Sequence, residues 1–234
     1  LSQEKRFEKE AQSMTQKPLE EEQIQLFFSD IEPLAASKVL VRLENETLSI
    51  GQRILSQGLQ LTVRGQDKIG IIGPNGVGKS TLLAKLHQLL SGKREISLGF
   101  MPQDYQETLQ LDLSPVEFLS QTGHKEEIQK IQSHLASLNF SYPEMHHQIH
   151  SLSGGQQGKL LLLNLVLRKP NFLLLDEPTR NFSPTSQPEI RKLFANYSGG
   201  LVTVSHDRRF LKEVCTSIYS LTEHGLEVVD LQDL

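Results

Sequence analysis

The chain predicts an α/β fold built on a mostly parallel sheet, with an antiparallel β layer and a helical insert. Three observations predict it. Phe172 to Leu175 and Leu201 to Val204 are unbroken apolar runs that end on polar residues, as strands buried on both faces do. Lys68 to Ile72 is a third short run, and it passes directly into a glycine-rich loop. Leu82, Leu83, Leu86, Leu89 and Leu90 then recur at helical spacing up to Gly92.

Along the chain, Leu1 to Pro18 is polar and charged, with Glu4, Lys5, Glu8 and Lys9 at helical pairing distances, and reads as a linker or arm. Ile24, Leu26 and Phe28 alternate, as do Val39, Val41 and Leu43 and then Leu59, Leu61 and Val63, so an antiparallel layer is expected over these stretches. A strand is expected at Ile96 to Phe100. Between Gln103 and Leu152 lie about fifty residues rich in Gln, Ser and His, with helices expected at Pro115 to Gln121 and Lys125 to Leu138. Leu160 to Leu167 forms a leucine-dense helix that Pro170-Asn171 ends. Ile218 to Leu221 and Leu226 to Val229 flank a Glu-His-Gly turn.

Composition excludes some classes and leaves others open. With 234 residues, 37% of them hydrophobic, the chain can bury one large core with subdomains. No apolar run nears the ~20 residues of a spanning helix, so the expectation is a soluble protein without membrane insertion. One cysteine, Cys215, permits no internal disulfide and fits the cytoplasm. The opening residues do not form a secretion signal, and the absence of an initial Met suggests a fragment. A net charge of −4 gives no global attraction to nucleic acid.

The chemistry-bearing residues are spaced in recognisable ways. Gly73-Pro74-Asn75-Gly76-Val77-Gly78-Lys79-Ser80 matches G-x-x-x-x-G-K-[ST], and Thr81 follows it. Between a strand and a helix, such a loop closes backbone N–H groups around phosphate oxygens, the lysine neutralises the β and γ groups, and the serine reaches magnesium. Asp176 and Glu177 end an apolar strand at the sheet edge where α/β folds bind ligands. Asp176 is the candidate magnesium holder and Glu177 the group that polarises an attacking water. Leu152-Ser153-Gly154-Gly155-Gln156 precedes the leucine helix and offers a second helix start suited to phosphate, or simply a serine cap. Gln103 and His206 stand just past strand ends; alone, each is more often structural. His146, His147 and His150 cluster, but no set of ligands completes them at metal spacing, and solvated histidines are expected.

In this order the motifs resemble the ATP-binding cassette (ABC) superfamily: phosphate loop, Gln103, the Leu152 to Gln156 signature, Asp176-Glu177, His206. The resemblance covers roughly residues 39–234. It implies a P-loop NTPase of the ABC type, with a RecA-like core, an antiparallel β subdomain and a helical subdomain at about 104–168. It implies ATP and Mg2+ as cofactors, with Ser80, Gln103 and Asp176 at the metal, and Lys79, Glu177 and His206 in hydrolysis. It also implies head-to-tail pairing with a second ABC domain, so that Ser153, Gly155 and Gln156 serve the opposite nucleotide, while a lone copy stays monomeric without ATP and hydrolyses poorly. Lys5 to Ala11, Met14 to Pro18 and the Glu20 to Glu22 run resemble the end of the interdomain linker of the ABC-F group. The chain then divides into a linker end at 1–36 and a nucleotide-binding domain at 37–234, the C-terminal half of an ATPase acting on the ribosome in translation or antibiotic resistance. Two other readings stand beside this one: the ATP-binding subunit of a membrane transporter, and a nucleotide-gated module with negligible turnover. Two departures from the family pattern bear on function. Phe182 and Ser183 replace a leucine and a partner-contacting aspartate, which bears on coupling between sites. Aliphatic residues replace the adenine-stacking aromatic near Ile50-Gly51, which loosens base selectivity.

Overall fold

The computed structural model describes residues 26–233. The linker-like features at Leu1 to Pro18, Glu20 to Glu22 and Ile24 lie outside the described residues. An antiparallel pair, β1 (Val39–Ile50) and β2 (Arg53–Arg64), turns at Gly51. The main sheet contains β3 (Lys68–Ile72), β4 (Leu98–Met101), β5 (Phe172–Asp176), β6 (Gly200–Val204), β7 (Ser217–Thr222) and β8 (Gly225–Val229), in the order β4-β5-β6-β3-β7-β8. The first five strands in that order run parallel, and β8 closes the edge antiparallel to β7. A hydrogen bond of 3.0 Å from Gln57 N–H to the Glu223 carbonyl ties the antiparallel layer to the main sheet.

Helices cover both faces. Helix α1 (Lys79–Leu90) follows the glycine loop. Three helices form the insert: α2 (Pro115–Leu119), α3 (Lys125–Ser137) and α4 (Tyr142–His146). Ser114 with Glu117, and Ser141 with Glu144, close reciprocal caps at the starts of α2 and α4. Then come α5 (Gly154–Arg168), α6 (Gln187–Ala195) and α7 (Arg208–Val214). Strand periodicity divides the core. Phe172 and Leu174 of β5 face α1 and the β1-β2 layer, whereas Leu173 and Leu175 face α5, α6 and the insert. Every residue of β5 and of β6 is buried, which is why both read as continuous apolar runs.

Two expectations need correction. The alternation at Leu26 and Phe28 forms no strand: residues 26–38 have no ladder partner. Leu26 is buried and Phe28 stacks tilted on Tyr197, with ring centroids 4.8 Å apart, so tertiary packing imposes the same in-and-out pattern. The strand expected at Ile96 to Phe100 begins instead at Leu98. Residues 94–97 are taken up by a turn in which Ile96 N–H bonds the Lys93 carbonyl at 3.0 Å. Among the described residues no helix is long and apolar enough to cross a membrane.

Candidate nucleotide site

Parallel strands bring their C-terminal ends to one edge, and the sequence puts a polar residue at each. Gly73 follows β3, Gln103 lies two residues past β4, Asp176 ends β5 and His206 lies two residues past β6. These ends open onto a cleft of about 690 Å³, within the range of small-ligand sites. Asn75, Gly76, Gly78, Lys79, Ser80, Thr81, Gln103, Asp176, Glu177 and His206 line it, together with Ile50, Leu55 and Arg180. Pro74 and Val77 face a neighbouring recess beside Arg53 and His224. Ile50 lines the cleft as an exposed aliphatic side chain, 60% accessible.

Two glycines of the loop are required by its path. Gly73 has φ 144°, and a Cβ there would lie 2.5 Å from the Leu221 carbonyl oxygen. Gly78 has φ 107° and packs against Leu48 and Leu55, where a Cβ would approach to 2.9 Å. Lys79 closes the loop on itself: its Nζ donates to the Gly73 carbonyl at 2.8 Å and to the Pro74 carbonyl at 2.9 Å. Burial pushes the Lys79 ammonium below its ordinary range, and the nearby carboxylates of Glu177 and Asp176 oppose that shift.

The acidic pair is held from the neighbouring strand. Glu177 N–H bonds the Val204 carbonyl at 2.9 Å, and His206 N–H donates to Glu177 Oε2 at 3.2 Å. His206 Nε2 lies 3.5 Å from Glu177 Oε1, so one residue addresses both carboxylate oxygens. Glu177 has φ 52°, a left-handed conformation costing a glutamate about 1 kcal/mol or more, which the bonds to β6 sustain. Burial raises both carboxyls above the usual range. For Asp176 the Ser80 hydrogen bond and the charges of Lys79 and Arg180 oppose it. Asp176 Oδ1 is buried without a hydrogen-bond partner. A magnesium-bound water would satisfy that oxygen, so the donor set of Ser80, Gln103 and Asp176 fits a hard, mostly hydrated cation.

The raised Asp176 value has a measurable consequence. A folded-state pKa above the unfolded one contributes stability present below the ordinary carboxylate range and lost as pH rises through the raised value, so the ionised form of the buried group is a net cost to the fold. Asp176→Asn is therefore expected to raise the Tm of the protein measured without nucleotide. The same variant is expected to lose the additional Tm gain that ATP with magnesium gives the parent. Calorimetry with and without nucleotide checks both signs; a lower ligand-free Tm contradicts the account.

The signature residues stand apart from Lys79. Ser153 caps α5 reciprocally: Gln156 N–H donates to Ser153 Oγ at 3.3 Å, and Ser153 N–H to Gln156 Oε1 at 3.0 Å. Gln156 Nε2 also reaches Glu144 Oε1 at 2.7 Å, joining the signature to α4. Ser153, Gly155 and Gln156 are absent from the lining of the Lys79 cleft, while Gly154 lines an adjacent cleft of about 700 Å³ that shares Ser80, Thr81, Gln103 and Asp176. Phe182 is buried with its ring over Gly158, whose missing side chain makes the room: a Cβ there would meet the ring at 2.7 Å. Ser183 turns into its own loop, with its hydroxyl 2.9 Å from those of Thr185 and Ser186. His146 stacks on Tyr142 and lies 3.1 Å from Gln132 Nε2. Sequence reasoning missed Arg180; an unusual cation four residues after Asp176 was the available signal.

Comparison with known proteins agrees with this architecture. The ABC transporter family model matches residues 56–180. A probable ATP-binding protein of Escherichia coli K12, YheS, is 31% identical over 210 residues, covering 87% of this chain and 33% of that protein. The ribosome protection protein VmlR of Bacillus subtilis is 29% identical over 232 residues, covering 97% of this chain and 42% of VmlR. ABC transporter F family member 2 of Arabidopsis thaliana is 27% identical, covering 96% of this chain and 34% of its own. The chain thus spans about a third of the length of its curated relatives. Among solved structures, the dimeric ATP-binding cassette MJ0796 bound to ADP and phosphate superposes with a TM-score of 0.65 at 19% identity, over 81% of this chain and 98% of that one. An ATP-bound bacterial Atm1-family exporter gives 0.68 at 17% identity, over 88% and 41%. A matching family model over more than half its residues, relatives of the ABC-F type and a shared fold establish that the chain belongs to the ATP-binding cassette family of ATPases.

Proposed function

We propose that residues 37–234 form the magnesium-dependent, ATP-hydrolysing C-terminal cassette of an ABC-F type protein that acts on the ribosome in the cytoplasm. The observation that carries the ATPase part is the convergence of Lys79, Ser80, Asp176, Glu177 and His206 on one cleft. The phosphate loop and Lys79 bind the β and γ phosphates, and the start of α1 aims its N–H groups at them. Ser80, Asp176 and Gln103 hold magnesium, which when bound spreads the charge of the phosphates. Glu177 positions the attacking water: its oxygen bonds the γ phosphorus, the bond to the bridging oxygen breaks with its electron pair going to ADP, and the water proton leaves through the carboxylate. His206 orients that carboxylate.

In this reading residues 104–168 act as the helical subdomain, and Ser153, Gly154, Gly155 and Gln156 serve a nucleotide held by a second cassette. Their separation from Lys79 supports that assignment. The partner cassette lies upstream in the full-length chain, arranged head to tail, and this part alone stays monomeric without ATP. The ribosomal role rests on the resemblance to VmlR across nearly the whole chain.

The test is co-sedimentation of the full-length parent with ribosomes, carrying Glu177→Gln and the equivalent change in the other cassette. ATP-dependent pelleting is expected. Demonstrated ATP binding without pelleting contradicts the ribosomal role and favours a transporter subunit.

A further inference from the structure

Arg180 has no role in the scheme above, yet it is the one lining residue besides Lys79 with a permanent positive charge in the cleft. It sits in the turn after β5, where its N–H bonds the Glu177 carbonyl at 3.1 Å, and its side chain is exposed. It also lines the adjacent cleft, beside Asn181, Gln103 and the start of the signature helix at Gly154. Among the described residues its guanidinium makes no ion pair or side-chain hydrogen bond, and its charge acts on the Asp176 carboxylate.

Position distinguishes the two cations. Lys79 is buried and committed to the loop after β3, on the side where β and γ phosphates enter. Arg180 lines the same cleft as Asp176 and Glu177, the residues to which hydrolysis is assigned, and it follows them in the turn after β5. An exposed arginine reaches a phosphate with a planar fork of donors, and a terminal phosphate is what ATP has and ADP lacks. From this placement we infer that Arg180 contacts the terminal phosphate of bound ATP and makes the site discriminate ATP from ADP.

The inference rests on the nucleotide site proposed above and is tested separately from it. Fluorescent ATP and ADP analogues are titrated with magnesium into the full chain carrying Glu177→Gln, so that ATP is not consumed. Adding Arg180→Ala is expected to weaken ATP by about ten- to hundredfold and ADP by less than about twofold. Arg180→Lys is expected to recover part of the ATP loss, since it keeps the charge without the fork. Retained ADP binding serves as the control for folding. Unchanged ATP affinity, or equal weakening of both nucleotides in both variants, overturns the assignment to Arg180 alone. Binding of neither nucleotide by the Glu177→Gln parent overturns the nucleotide site and this inference with it.

Discussion

Glu177→Gln is expected to bind ATP with near-parental affinity and to lose hydrolysis by about 10²- to 10⁴-fold. The amide keeps the size of the carboxylate and can still accept the His206 N–H bond seen at 3.2 Å, so the turn after β5 has no reason to move. It cannot take a proton, and it offers the water a weaker acceptor. Burial raises the Glu177 carboxyl above the ordinary range, opposed by the His206 backbone N–H bond, which makes the carboxylate a better base than that of a free glutamate. The hydrolysis rate of the parent should accordingly fall in acid as Glu177 and Asp176 protonate, whereas the residual rate of Glu177→Gln should keep only the part due to Asp176. Single-turnover hydrolysis beside equilibrium binding separates the two effects. Turnover within about threefold of the parent would remove Glu177 from its role.

The sequence reveals the strands, the glycine loop and the residues at the sheet edge because these depend on local pattern. Apolar runs mark β5 and β6, and a motif spaced within eight residues marks the loop. It could not separate Leu26 and Phe28 from a strand, because burial against Phe194 and Tyr197 gives the same alternation as a ladder. The left-handed backbone at Glu177 carried no signal either: glutamate has no preference for φ above zero, and the bonds that hold it come from β6, about thirty residues away. Phe182 shows the same limit in another form. As a departure from a pattern it suggested altered coupling, but the compensating partner is Gly158, one turn into a different helix, and only packing brings them together. Long-range pairs of this kind lie beyond any single-sequence period.

Lys79→Ala is expected to weaken ATP by at least about a hundredfold, the loss of charge-assisted hydrogen bonds to two phosphates. The ammonium bonds the Gly73 and Pro74 carbonyls at 2.8 and 2.9 Å, so it shapes the loop as well as lining the nucleotide cleft. Truncation removes both functions, and a second variant tells them apart. Lys79→Met keeps the apolar stem that packs in this buried position but lacks the charge. If charge on the phosphates dominates, the two variants lose ATP affinity alike. If the loop bonds dominate, Lys79→Ala is worse and also lowers Tm, because the Gly73 and Pro74 carbonyls lose the ammonium that clasps the loop. Charge is expected to dominate: the two loop carbonyls can turn to water, whereas the phosphates would lose a cation that offsets the carboxylates of Asp176 and Glu177. Without it the cleft presents net negative charge to an anionic ligand, and isothermal titration of both variants with ATP reads the result directly.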